Sequence, residues 1–243
     1  MQDNNHCRLE RLDERHEIYI SKKFGFTTDT LLLTHFAKPE KREVCADFGT
    51  GCGTIAFLWR IRYDPKMIYA LELQHEALQQ AEKTRQHNGF ERITLIQADV
   101  RQIRGVLPHQ SLDRIACNPP YKAKSTGLTS PDRSRAVAWN EEELTMRELA
   151  ENSRYALRHE GKLCICQRPE RLSEILCLFS GIGLEPKRLR LVQQSMNHAP
   201  SLFLLEARKG GNPGLMLEPT LMINDGEGFS AEMKQIYGSY YYR

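Results

Sequence analysis

Long apolar runs are missing from this 243-residue chain. No stretch approaches the roughly 20 apolar residues that span a bilayer. The opening MQDNNHCRLERLDER lacks the apolar centre of a signal peptide, so neither a membrane span nor export is expected. The seven cysteines (7, 45, 52, 117, 164, 166 and 177) are odd in number and never form a CxxC pair. That spacing argues against a zinc site, and no metal is expected. Most of these cysteines sit in apolar runs, where Cys acts as a small buried hydrophobe, which points to the reducing cytoplasm. No internal repeat and no low-complexity segment is present. Also absent is the GxGxxG loop that seats a pyrophosphate.

What remains is a soluble, globular composition, 40% hydrophobic and 27% charged, of a length that suits one large domain with a small appendage. The net charge of +3 says less than its distribution. Five basic residues and one acidic residue lie between Arg114 and Arg135, and the same numbers recur between Pro186 and Gly210. Such clusters suit either a solvated face or a polyanionic partner.

Short apolar runs alternate with amphipathic stretches. REVCADF (42–48), MIYALEL (67–73), ITLIQADV (93–100), LDRIACN (112–118) and KLCICQ (162–167) read as buried parallel strands. TIAFLWRIRY (54–63), HEALQQAEKTRQHNGF (75–90), EEELTMRELAENSRYALRHEG (141–161, with a glycine stop) and PERLSEILCLFSGIG (169–183) read as helices. RLRLVQ and SLFLLEARK read as a closing antiparallel pair. The expectation is an α/β fold, an open and mostly parallel seven-stranded sheet with an antiparallel strand at one edge and helices on both faces. Three parts are expected: an N-terminal extension (1–40) packing near the active site, a main domain (41–210) and a partly ordered tail (211–243). Such sheets bind ligands at the C-terminal ends of their strands.

DFGTGCG, Asp47 to Gly53, falls at such an end. Its glycines let backbone turn sharply and approach a ligand closely, but a carboxylate beside the loop repels phosphate and suits a cationic amino-acid group. Glu72 ends the second strand, placed to accept the two hydroxyls of a ribose. Asp99 ends the third, where it can take an adenine amino group. ACNPPYK (116–122) then sets a stiff Asn118-Pro119-Pro120-Tyr121 corner on a core strand. An amine whose lone pair is delocalised needs its hydrogens held so that the lone pair is freed. The Asn118 side-chain oxygen and the Pro119 carbonyl can do this while Tyr121 stacks on a flipped base.

Asp47-x-Gly49-x-Gly51-x-Gly53, Glu72, Asp99 and the Asn-Pro-Pro-Tyr corner, in that order, resemble the motifs of class I S-adenosylmethionine-dependent methyltransferases with a Rossmann-like fold. The resemblance implies S-adenosyl-L-methionine as cofactor, held by Asp47, Gly49, Thr50, Gly51, Gly53, Glu72, Leu73, Asp99, Val100 and Asn118. FGFTTDTLLL, QRPERLSEIL, GLEPKRLRLV and LEARKGGNPGL further resemble bacterial tRNA adenine-N6 methyltransferases acting 3′ of the anticodon in a valine tRNA. That resemblance, covering about residues 10–237, implies tRNA as partner and substrate contacts from Tyr121, Lys122, Lys124, Arg208 and Lys209, with the basic stretches 122–135 and 187–190 facing phosphates. A monomer is favoured.

The chain departs from that family where Ala138-Trp139-Asn140-Glu141 replaces Ala-Arg-His-Glu, and Trp139 there reads as either a stacking residue for a neighbouring base or a helix-start staple, the staple being preferred. The alternatives are an N5-glutamine methyltransferase of a release factor, an rRNA base methyltransferase, or an RNA-binding protein with a vestigial cofactor pocket. Only 46 residues precede Asp47, too few for the helical substrate domain expected of the first.

Overall fold

The computed structural model describes residues 7–119 and 144–238. Its centre is one sheet. Seven long strands run in the order β5 (Ile93–Gln97), β4 (Met67–Glu72), β3 (Val44–Phe48), β6 (Leu112–Cys117), β7 (Leu157–Gln167), β9 (Pro200–Lys209) and β8 (Leu184–Gln193). All pairings from β5 to β7 are parallel, and β9 runs antiparallel between β7 and β8. The antiparallel strand therefore lies one in from the margin. Two short strands, β10 (Met216–Leu217) and β11 (Leu221–Met222), extend that margin by pairing with β8.

Alternation along each strand separates two cores. Cys45, Ile68, Ala116, Cys164 and Leu204 face a layer built from α1 (Thr28–Ala37), α2 (Thr54–Arg62), α3 (His75–His87) and the C-terminal α6 (Ala231–Tyr237). Ala46, Leu71, Ile115, Leu163 and Leu205 face the 3-10 turn Val100–Gly105, α4 (Met146–Ala156) and α5 (Leu172–Gly181). This period-two division is why the strands read as continuous apolar runs: both faces are covered. Among the described residues no helix is long and apolar enough to cross a membrane.

Before the sheet, β1 (Arg8–Arg11) and β2 (Glu17–Ile20) form a hairpin against α3. Polar side chains of the helix, spaced four apart and so on one face, serve its backbone. Asn88 accepts from the Glu17 N–H at 2.9 Å and donates to the Glu17 carbonyl at 2.7 Å. Thr84 accepts from the Tyr19 N–H at 3.0 Å, and Gln80 donates to the Tyr19 and Phe24 carbonyls at 2.8 Å each.

One expected element is corrected. The helix expected over 141–161 ends at Ala156, and Leu157 to Gly161 already belong to β7. Its start is set at Thr145 by a capping box with Glu148, and Leu157 takes extended backbone (φ −69°, ψ 135°). Gly161 is no helix stop. A Cβ there would meet the Arg158 carbonyl oxygen at 2.9 Å and the Leu112 carbonyl oxygen at 3.1 Å, so the glycine permits close backbone packing.

Gly161→Ala should therefore destabilise the protein by about 1–3 kcal/mol, the usual cost of overpacking. Gly105→Ala, where an added Cβ meets nothing within 4 Å, should leave stability within about 1 kcal/mol. Urea unfolding of both variants checks this; equal midpoints would contradict it.

Candidate active site

The parallel register sets the site. Phe48 is level with both Leu71 and Cys117, so the residues that follow, Gly49, Glu72 and Asn118, emerge side by side at one rim. Gly49, Gly51 and Gly53 all have positive φ (73°, 57° and 91°). The first two are open where a Cβ would stand, whereas at Gly53 a Cβ would fall 2.2 Å from the Phe57 ring. The loop is tied down by the Gly49 and Thr50 N–H groups, each donating to the Leu71 carbonyl at 2.9 Å.

Two carboxylates organise this turn. Glu72, 8% exposed, accepts from the Gly51 N–H at one oxygen and the Gln74 N–H at the other, both at 2.9 Å. Asp47 is 1% exposed and accepts from the Thr50 hydroxyl at 2.5 Å through Oδ2, while its Oδ1 is buried with no hydrogen-bond partner. Burial, assisted by the charge of Glu72 and only partly offset by hydrogen bonds from the Thr50 hydroxyl and the Ala56 backbone, lifts the Asp47 carboxyl to about 7. A buried acceptor without a donor is costly, and a cationic ligand group is the chemistry that removes that cost. Leu73, 40% exposed next to Glu72, offers an apolar surface at the same rim, and Val100 is buried in the core shared with the 3-10 turn it opens. The residues thus fit an amino-acid-bearing nucleoside: an orphaned acid for its ammonium, open glycines for its backbone-like portion, and Glu72 for vicinal hydroxyls.

Asp99 is committed locally. It accepts from the Arg101 N–H at 2.8 Å, opening the 3-10 turn, and pairs with the Arg101 guanidinium at 2.6 Å. The hydrogen bond from that side chain holds its pKa below the usual carboxylate range. Asn118 lies partly buried at the end of β6, next to buried Pro119. Its Nδ2 donates to the Thr30 hydroxyl oxygen on α1 at 3.3 Å, and its Oδ1 accepts from the Cys166 thiol on β7 at 3.0 Å. Neither Thr30 nor Cys166 was singled out from sequence, though Thr30 falls inside the FGFTTDTLLL stretch.

Pro120, Tyr121, Lys122, Lys124, the 122–135 stretch and Trp139 lie outside the described residues. Arg208 and Lys209 are not brought to the rim. They end β9 at the opposite end of the sheet, where Arg208 is level with Lys162 at the start of the regular β6–β7 pairing. Arg208 pairs with Glu160 at 2.9 Å, and Lys209 donates to the Leu157 carbonyl at 2.6 Å. The basic run 187–190 is likewise engaged within the fold. Arg188 pairs with Glu206 and Glu218, Arg190 with Glu232, and Lys187 donates to the Asn212 carbonyl. A cavity of about 280 Å³ opens at this far end, lined by His35, Arg114, Arg188 and Glu206 among others, but its arginines are already matched by glutamates. Among the described residues no group of three His, Cys, Asp or Glu is arranged to hold a metal ion.

The family model described as "Methyltransferase small domain" matches residues 11–176. A tRNA1(Val) (adenine(37)-N6)-methyltransferase of Photobacterium profundum is 25% identical over 218 residues, covering 88% of this chain and 90% of the relative. Its namesake from Porphyromonas gingivalis is 28% identical over 188 residues, covering 74% and 73%. Among solved structures, a predicted O-methyltransferase from Agrobacterium tumefaciens superposes with a TM-score of 0.69 at 18% identity, covering 86% of this chain and 95% of that one. The tRNA m1G37 methyltransferase of M. jannaschii gives 0.59 at 14% identity, covering 87% and 59%. These two likenesses establish the fold alone, a Rossmann-like α/β sheet with helices on both faces.

Two outcomes follow from the carboxylates. Because the folded pKa of Asp47 is raised, its contribution to stability is complete below about 4 and is lost as pH rises through about 7. Asp47→Asn should therefore stabilise the ligand-free protein at pH 8, by up to roughly 4 kcal/mol, with little effect at pH 4. Thermal melts at both pH values measure this, and an equal shift at both would rule it out. Glu72→Ala should weaken S-adenosylmethionine binding about tenfold or more, as loss of charge-assisted hydrogen bonds worth roughly 1.5–3 kcal/mol requires. Unchanged affinity by calorimetry would remove Glu72 from the site.

Proposed function

Because this chain belongs to the methyltransferase small-domain family, we propose that it transfers a methyl group from S-adenosyl-L-methionine to the exocyclic N6 amine of an adenine in tRNA. The target adenine lies in the anticodon loop, with a valine tRNA as the favoured substrate. The observation that carries this reading is the Asn118 amide at the rim, level with the Gly49 loop and Glu72. The tRNA adenine-N6 methyltransferases among its relatives, matched over most of their length, support the choice of substrate.

Bound S-adenosylmethionine supplies an electrophilic methyl group on a sulfonium sulfur. Asp47 holds its ammonium, Glu72 its ribose hydroxyls, and Leu73 lines the purine. Asn118 Oδ1 and the Pro119 carbonyl each accept one hydrogen of the target amine, turning the nitrogen lone pair out of the ring's conjugation. No strong base is required, since placement and electrostatics lower the barrier. The methylated amine, cationic as it forms, is acidic enough to give its extra proton to water, and S-adenosylhomocysteine is the other product. Tyr121 stacks on the flipped base, and Lys122 and Lys124 hold the phosphates beside it. The enzyme acts in the cytoplasm, as a monomer.

Mass spectrometry of tRNA nucleosides from cells with and without the gene tests the substrate directly. N6-methyladenosine in the anticodon fragment of a valine tRNA should disappear on deletion. Purified protein should methylate unmodified tRNA in preference to release-factor glutamine or rRNA fragments; the reverse preference would overturn the assignment. Asn118→Ala should lower kcat at least about 100-fold, the scale of losing one transition-state hydrogen bond, while cofactor affinity stays within about twofold. A near-native kcat in that variant would exclude the amine-orienting role.

A further inference from the structure

The Asn118 side chain is held at both ends by residues from two different elements. In the β6–β7 pairing Cys117 is level with Ile165, so Asn118 and Cys166 stand side by side as the strands end. The Cys166 thiol, fully buried, donates to Oδ1 at 3.0 Å, and Nδ2 donates to Thr30 Oγ1 at 3.3 Å. Thr30 is itself tied to the first turn of α1, where the Thr27 N–H points at its hydroxyl oxygen at 3.5 Å.

A primary amide is nearly symmetric in shape, yet its two ends have opposite hydrogen-bonding character. Turned over, Asn118 would present a donor where the reaction described above needs an acceptor. A hydroxyl can face either end of an amide, so Thr30 alone does not choose. The sulfur does. Here the Cys166 S–H meets Oδ1 at 3.0 Å, and turning the amide over would replace that contact with an N–H set against a weakly accepting sulfur.

We propose that Thr30 and Cys166 are positioning residues that lock the Asn118 amide with its oxygen toward the reacting amine. The inference rests on the assignment of Asn118 as the group that holds that amine. Thr30→Val and Cys166→Ala should each lower kcat about tenfold with cofactor Kd and the KM for tRNA within about twofold. Thr30→Ser and Cys166→Ser, which keep an acceptor and a donor at those points, should stay within about threefold of the parent. Since both grips act on one amide, the double variant Thr30→Val/Cys166→Ala should lose less than the product of the single losses. A cysteine or threonine that merely fills space would instead lower thermal stability without this split, and serine would not rescue it.

A second arm needs no substrate. In the ¹⁵N spectrum of the parent protein the Asn118 side-chain NH₂ pair, assigned by its loss in Asn118→Ala, should exchange slowly with solvent. Exchange should speed up at least about tenfold in Thr30→Val and in Cys166→Ala. Failure of the parent to methylate tRNA would count against the functional assignment only. Unchanged kcat in both variants, or unchanged amide exchange, would overturn the locking role.

Discussion

Parallel pairing of β3 with both of its neighbours is the constraint on which the rest of the molecule depends. A parallel ladder has evenly spaced hydrogen bonds and no tight hairpins, so each strand must end where a crossover begins. Here β3 and β6 end level with one another and β4 one residue later, and a glycine turn, a carboxylate and an amide are delivered to one rim. Slipping any one strand by a residue would move its terminal side chain to the other face. The two buried layers, each fed by alternate residues of the same strands, are what hold that register.

The two ends of the sheet treat charge in opposite ways. At the far end Arg114, 2% exposed, is gripped by Glu43 at 2.7 and 2.9 Å and approached by Glu206, and Arg188 and Arg190 are matched in turn. Those charges are satisfied by the protein's own groups. At the rim the Asp47 carboxyl is buried with one oxygen left over. Among the described residues, the fold thus surrounds the arginines of the far cavity with glutamates and leaves the rim carboxylate of Asp47 with a buried oxygen to satisfy. Local inconsistency of this kind is characteristic of functional sites.

Much of this was legible in the chain, for a physical reason. Strands covered on both faces must be apolar throughout, and the turns between them need glycine or polar residues, so element type is written locally. Glu72 and Asn118 could be placed because each directly follows such a run. Other features depend on partners remote in sequence. The cluster 187–190 looked like a nucleic-acid surface because Glu206, Glu218 and Glu232, which neutralise it, arrive later along the chain. Thr30 and Cys166 meet Asn118 from 88 and 48 residues away, and no local pattern marks either. Gly161 was misassigned because a glycine after a helical pattern usually caps it; only the approach of the Leu112 backbone reveals its other use.

The polar ladder on α3 has a consequence for how this chain meets other chains. A two-stranded hairpin is marginal by itself, and an open strand edge presents unpaired N–H and C=O groups on which a foreign strand can grow. Along β2 those groups are answered by Gln80, Thr84 and Asn88. A helix, which has no backbone donors to spare, completes the hairpin with its side chains and closes that edge as a template for aggregation. The same residues that look merely hydrophilic in sequence thereby close the β2 edge of the hairpin to strands of other molecules.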